Sequence, residues 1–164
     1  MKKTYEKSNN GWWIIGAVVV AFVALLILSS FQSGVDKTNR EVALSCTTDA
    51  FTTFHIHPHL TIIVDGVQQT IPADIGITLA CMHPIHTHDT SGTIHIESPQ
   101  QRDFTLGDFF AVWGQPFSQN QILNYTADAS HTITETVNST TVQTFENTIL
   151  HDKDNIVITY QSGE

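Results

Sequence analysis

Basic side chains, cysteine and methionine are all scarce in this 164-residue sequence, which holds seven Lys and Arg, two Cys and two Met. Sixteen acidic residues bring the formal net charge to −9, so there is no basic surface to displace counterions from phosphates, and nucleic acid is excluded as a partner. Two cysteines, Cys46 and Cys81, cannot build a paired CxxC metal signature. The blue-copper pattern is missing as well, because no methionine follows the histidines after Cys81. There is also no nucleotide-binding glycine loop, long internal repeat, low-complexity tract or recognisable nucleophile and base pair.

Long apolar runs are limited to one. Residues 12–28, WWIIGAVVVAFVALLIL, carry no charge, and with Gly11 and the stretch to Phe31 they reach the roughly 20 residues that a helix needs to cross a bilayer. Lys2, Lys3 and Lys7 precede the run against a single acid, Glu6, which by the positive-inside tendency keeps the N-terminus in the cytoplasm. A removed secretory signal has the same basic start and apolar middle, but LSSFQSG offers no small-x-small cleavage site. The sequence therefore predicts a cytoplasmic tail over 1–10, a single-pass anchor in the cell membrane over 11–31, a polar linker over 32–50 and an extracytoplasmic domain over 51–164. An oxidising compartment suits one Cys46–Cys81 disulfide, while two free thiols, with Cys81 beside a metal, remain the other reading. The sequons at Asn124 and Asn138 fit an outside location.

Within the domain, FHIHPHLTIIVDGVQQTIPA reads as a strand, an Asp65-Gly66 turn and a second strand. GTIHIES alternates as a short strand that Pro99 ends. In FTLGDFFAVWGQPF, Thr105 can cap a helix with Asp108 in its first turn, and Leu106, Phe109, Phe110 and Trp113 recur at helical spacing as a core stripe. Gly114 and Pro116 stop it. HTITETV, a turn near Asn138-Ser139, TTVQTF and NIVITYQ are strand-like. This order predicts an α+β domain, one helix packed on a small, mostly antiparallel sheet, with a β-grasp-like arrangement as one possibility.

Seven of the nine histidines fall between residues 55 and 95. If HIHPHL stays extended, His55, His57 and His59 project from one face, since alternate strand residues share a side. His86, His88 and then His95 follow across a proline-containing loop. Imidazole is the usual nitrogen donor for zinc and copper, so His55, His57, His59, His86, His88 and His95 are the candidate metal ligands. Cys81 and Met82 add soft donors that would suit monovalent copper. Glu97 can orient a ligand imidazole or act as a base, Asp89 can cap the turn at Thr90-Ser91-Gly92, and His131 and His151 read as solvent-facing.

The stretches HIHPHL, IHTHDTSGTIHIESP and FTLGDFFAVWGQPFS resemble a family of membrane-anchored or exported histidine-rich domains of bacteria and ammonia-oxidising archaea. The resemblance spans about residues 55–118 and matches His55, His57, His59, His86, His88 and His95. It implies an exported location and brings no reaction with it. The chain departs from the family pattern at VNSTTV, where an Asn-Gly hairpin is expected.

These readings converge on a membrane-anchored, extracytoplasmic protein that binds copper or zinc for storage, delivery or sensing, with the lipid bilayer and a membrane or surface metalloenzyme complex as partners. Two further classes fit the same residues. One is a metal-dependent enzyme with three histidines around an open position. The other is an accessory subunit of a membrane complex, whose span carries Gly16, Ala17, Ala21 and Ala24 for helix packing.

Overall fold

The computed structural model describes residues 15, 17–25, 37–47 and 52–163. Residues up to Asp36 and those from Lys37 onward form two separate units. In the first unit, residues 17–25 are helical, and Val18, Val19, Val20, Phe22, Val23 and Leu25 are all exposed. Among the described residues no helix is long and apolar enough to cross a membrane. Most of the expected anchor over 11–31, and the whole tail over 1–10, lie outside the described residues.

The second unit is a mixed α+β domain dominated by antiparallel pairing. Its main sheet contains β2 (His59–Val64), β3 (Val67–Gln69), β9 (His131–Val137), β10 (Thr140–Val142) and β11 (Asn155–Ser162) in the order β10-β9-β11-β2-β3. Neighbours are antiparallel except β11 and β2, which run parallel from Asn155 opposite His59 to Tyr160 opposite Val64. Strict alternation in β2 buries Leu60, Ile62 and Val64, which join Ile156 and Ile158 in the core. Both hairpins turn where local chemistry allows positive φ. Asp65 and Gly66 close the first at φ 48° and 80°. Asn138 and Ser139 close the second at 51° and 67°. A serine there strains the backbone. The turn is held by the Asn138 side chain, which donates to Asp154 at 2.8 Å and accepts the Asn155 amide at 2.9 Å. The sequence departs from Asn-Gly at this point, yet the two-residue turn survives.

Helix α2 (Leu106–Trp113) begins with a capping box in which Thr105 and Asp108 each accept the other's backbone amide, and it ends at Gly114 in the left-handed conformation. Phe109 and Phe110 are buried and Trp113 packs at the margin. Phe110 stacks on Phe117 of β6 (Phe117–Ser118), which opens a three-stranded meander with β7 (Gln121–Ile122) and β8 (Tyr125–Thr126).

The expected linker over 32–50 is in part folded onto the domain. Thr38 and Glu41 form a capping box for a short helix, α1 (Asn39–Ala43), whose Ala43 is fully buried. Arg40 pairs with the buried Asp108 at 2.9 Å and donates to the Gly107 carbonyl at 2.6 Å. Cys46 is bonded to Cys81, with Cα atoms 5.1 Å apart, so the disulfide reading holds and no thiol is free among the described residues. A five-residue helix with one buried side chain has no periodicity to read. Its stability comes from partners about 65 residues away.

Among the buried polar side chains of the described residues, the fully buried Glu135 of β9 is the one left without a hydrogen-bond partner of normal geometry, at either carboxylate oxygen. Burial raises its pKa above the ordinary 4.5, an effect that nearby Thr148 and the Phe145 backbone offset only in part. A folded-state value above the unfolded one means that this group's stability is fully present below about pH 4.5 and is lost as pH rises through the folded value. Glu135→Gln, which cannot ionise, is therefore expected to be more stable than wild type by on the order of 1 kcal/mol at pH 8 and no more stable at pH 4. Urea unfolding at the two pH values checks this, and parallel pH profiles would contradict it.

Candidate metal centre

A second, smaller sheet carries the histidines. It comprises β1 (Phe54–Ile56), β5 (His95–Ser98) and β4 (Ile85–His86), with β5 in the middle. Register sorts its two faces. Ile56, Ile96 and Ile85 lie side by side and are buried, so the alternate positions, His55 opposite Glu97 and His86 opposite His95, fall on the other face. His57 and His88 continue their strands by one further alternate step. Three short dyads, His55-x-His57, His86-x-His88 and His95-x-Glu97, thus lie on three neighbouring segments.

The rings meet. Ligand atoms of His86, His88, His95 and Glu97 all lie within 4.8 Å of one another, as do those of His55, His57 and His95. Ring centroids are 4.4 Å apart for His55 and His57, 4.7 Å for His57 and His95, and 4.6 Å for His88 and His95. The Nε2 atoms of His86 and His88 face each other at 3.2 Å. Two imidazoles bound to one tetrahedral ion at about 2.0–2.1 Å have their nitrogens roughly 3.3 Å apart, so this pair already has ligand spacing.

Neighbouring groups orient the rings. The His83 carbonyl can only accept, so the 2.9 Å contact puts the proton of His86 on Nδ1 and turns the Nε2 lone pair towards His88. Asp152 accepts the His57 amide at 3.0 Å and stands 3.9 Å from its Nδ1. Glu97 lies 3.2 Å from His55 Nε2. Burial, then the like charges of His88, His57 and His86, lower the pKa of His95 to about 4, against a smaller opposing pull from Glu97. Burial also lowers that of His86. Both rings are therefore neutral at pH 7, the form that binds metal.

His59 stands apart. The antiparallel register with β5 continues past Pro58, whose carbonyl accepts the Ile94 amide, to His59 opposite Thr93, so HIHPHL keeps its alternation, yet His59 belongs to neither set of converging donors. The His57 carbonyl accepts from Lys153, and the His59 amide donates to Asp154 at 2.7 Å. His59 begins β2 of the main sheet, and its Nε2 donates to the Ser91 carbonyl at 2.9 Å. Gly92, at φ 92°, permits the close approach of its segment to this strand, because a Cβ there would lie 2.3 Å from the Leu60 carbonyl oxygen.

The other histidines have structural partners. His83 donates to the Ala43 carbonyl at 3.1 Å, His131 stacks on Tyr160, and His151 contacts Asp154. Asp89 caps its turn by accepting the Ser91 amide, as expected. Cys81 is held in the disulfide and supplies no thiolate. Glu97 is the donor that the candidate ligand set omitted. Its two-residue spacing from His95 on an alternating strand was the available signal.

In comparison with known proteins, no family model, no curated protein and no solved structure matches the chain. The geometry defines a mixed α+β domain with histidine clusters able to hold a metal ion.

Proposed function

We propose that the chain is a membrane-anchored, extracytoplasmic protein that binds zinc or divalent copper for storage, delivery or sensing. The observation that carries this reading is the convergence of His86, His88, His95 and Glu97, with the first two nitrogens at ligand spacing. Monovalent copper fits less well, since the donors are imidazole and carboxylate and the sulfur of Cys81 is held in the disulfide. The side chains of His55 and His57 are 45% and 40% exposed, so an ion can enter and leave, which suits exchange with a partner enzyme better than a sealed structural site.

Location rests on separate observations. A disulfide persists in oxidising compartments. The exposed apolar side chains of residues 17–25 favour lipid over water, and the lysines before them favour a cytoplasmic N-terminus. The order of the main sheet, with its parallel central pair flanked by two hairpins, supports a β-grasp-like arrangement. The resemblance to exported histidine-rich domains points the same way.

Elemental analysis of the full chain purified from membranes tests the reading. Wild type is expected to carry stoichiometric metal, and His88→Ala to bind it more weakly by well over the roughly 10-fold that loss of an outer partner costs. Equal metal content in both proteins would overturn it. A catalytic alternative draws on Glu97 beside the histidines, where a carboxylate can serve as base to a metal-bound water.

A further inference from the structure

The histidine face offers more donors than one ion takes. A four-coordinate ion with bonds of about 2.0–2.1 Å keeps its donors within roughly 3.4 Å of one another. Five imidazoles and a carboxylate are present here, and they fall into two sets that share His95. Its ring is placed between them, 4.7 Å from His57 on one side and 4.6 Å from His88 on the other. Glu97 also faces both ways. It belongs to the set of His86 and His88, yet it is 3.2 Å from His55 Nε2 in the other set.

We infer that the face holds two divalent, imidazole-preferring cations side by side, one on His86 and His88 and the other on His55 and His57, with Glu97 bridging them. This rests on the reading of the cluster as a metal centre. A carboxylate has two oxygens, so it can give one to each ion across the about 3.5–4 Å typical of paired metal sites. Neutral His95 has a single lone pair and completes one ion only; it joins both only if it also loses its remaining proton. The negative charge of Glu97 reduces the repulsion between the two cations, and Asp152 beside His57 adds to it. Each ion then has about three protein donors, which leaves positions for water or an incoming ligand.

The register explains why the sets stay adjacent. His55 is opposite Glu97 on one edge of β5 and His86 is opposite His95 on the other, so the donors of the two outer strands flank β5, each one strand spacing of about 4.8 Å from it across the sheet. Neither set can move without breaking the buried isoleucine row on the other face.

The test uses the metal-stripped full chain in detergent, titrated separately with Zn²⁺ and Cu²⁺, with bound ions per chain counted by native mass spectrometry. Wild type is expected to take two ions, and His57→Ala and His88→Ala one each. With Cu²⁺, wild type is expected to show a weakened paramagnetic resonance signal from coupling through Glu97, and either variant the full signal of an isolated ion. Glu97→Gln is expected to keep the first ion and weaken the second by at least tenfold. One ion in wild type and none in either variant would overturn the pair while leaving a single centre intact. No ion in wild type would remove the metal reading itself. Two ions in all three proteins would show that these imidazoles are not the ligands, and circular dichroism keeps a folding failure from passing for lost binding.

Discussion

Reducing the Cys46–Cys81 bond in the metal-free chain is expected to lower its unfolding free energy by about 3–4 kcal/mol. The bond spans a sequence separation of 35, and loop closure of that length accounts for most of the effect through the unfolded chain. Beside the bond, Thr47 and Met82 form an isolated bridge and α1 buries Ala43. The histidine face should outlast the reduction. His86 is paired to β5, and the His83 amide donates to the Gly76 carbonyl at 2.8 Å, so neither depends on the sulfur bridge. Urea titration with and without a phosphine reductant, followed by a metal count below the unfolding transition, checks both halves. An unmoved midpoint with both thiols shown to be free would refute the entropic argument, and lost metal in the still-folded chain would refute the second half.

Gly76→Ala is expected to cost about 2–4 kcal/mol and to weaken metal binding together with stability. Gly76 sits at φ 75°, and a Cβ there would lie 2.6 Å from the Ile85 carbonyl oxygen and 2.8 Å from Val112 Cγ1, with His86 Cβ at 3.3 Å. The backbone of β4 must yield, and it carries His86. Gly66→Ala is the control, since Gly66 has φ 80° with nothing within 4 Å of the added carbon. That control should show only the left-handed penalty of roughly 1–2 kcal/mol and no change in metal affinity. Denaturant midpoints and zinc titrations of the two variants separate clash from torsion, and equal losses would discard the proposed link between this turn and the site.

Much of the fold was legible because its signals are local. Thr105 and Asp108 form their capping box within one turn, and Gly114 terminates the helix by its own torsion. Asp65-Gly66 and Asn138-Ser139 turn the chain through adjacent residues. Alternation in β2, β9 and β11 follows from burial on a single face. Residues 39–43 were not legible, since Arg40 finds Asp108 only across a long stretch of chain.

Histidine type and crowding were enough to point to metal chemistry, because imidazole donors at alternate positions give that chemistry whatever the partner strands. Which imidazoles meet was a matter of pairing. His59 keeps the register of its strand past Pro58 but its Nε2 is bonded to the Ser91 carbonyl, while the cross-strand register brings Glu97 and His95 between two pairs separated by about 30 residues. Side-chain identity is written along the chain, but a shared ion needs distances through space, and those come from sheet pairing.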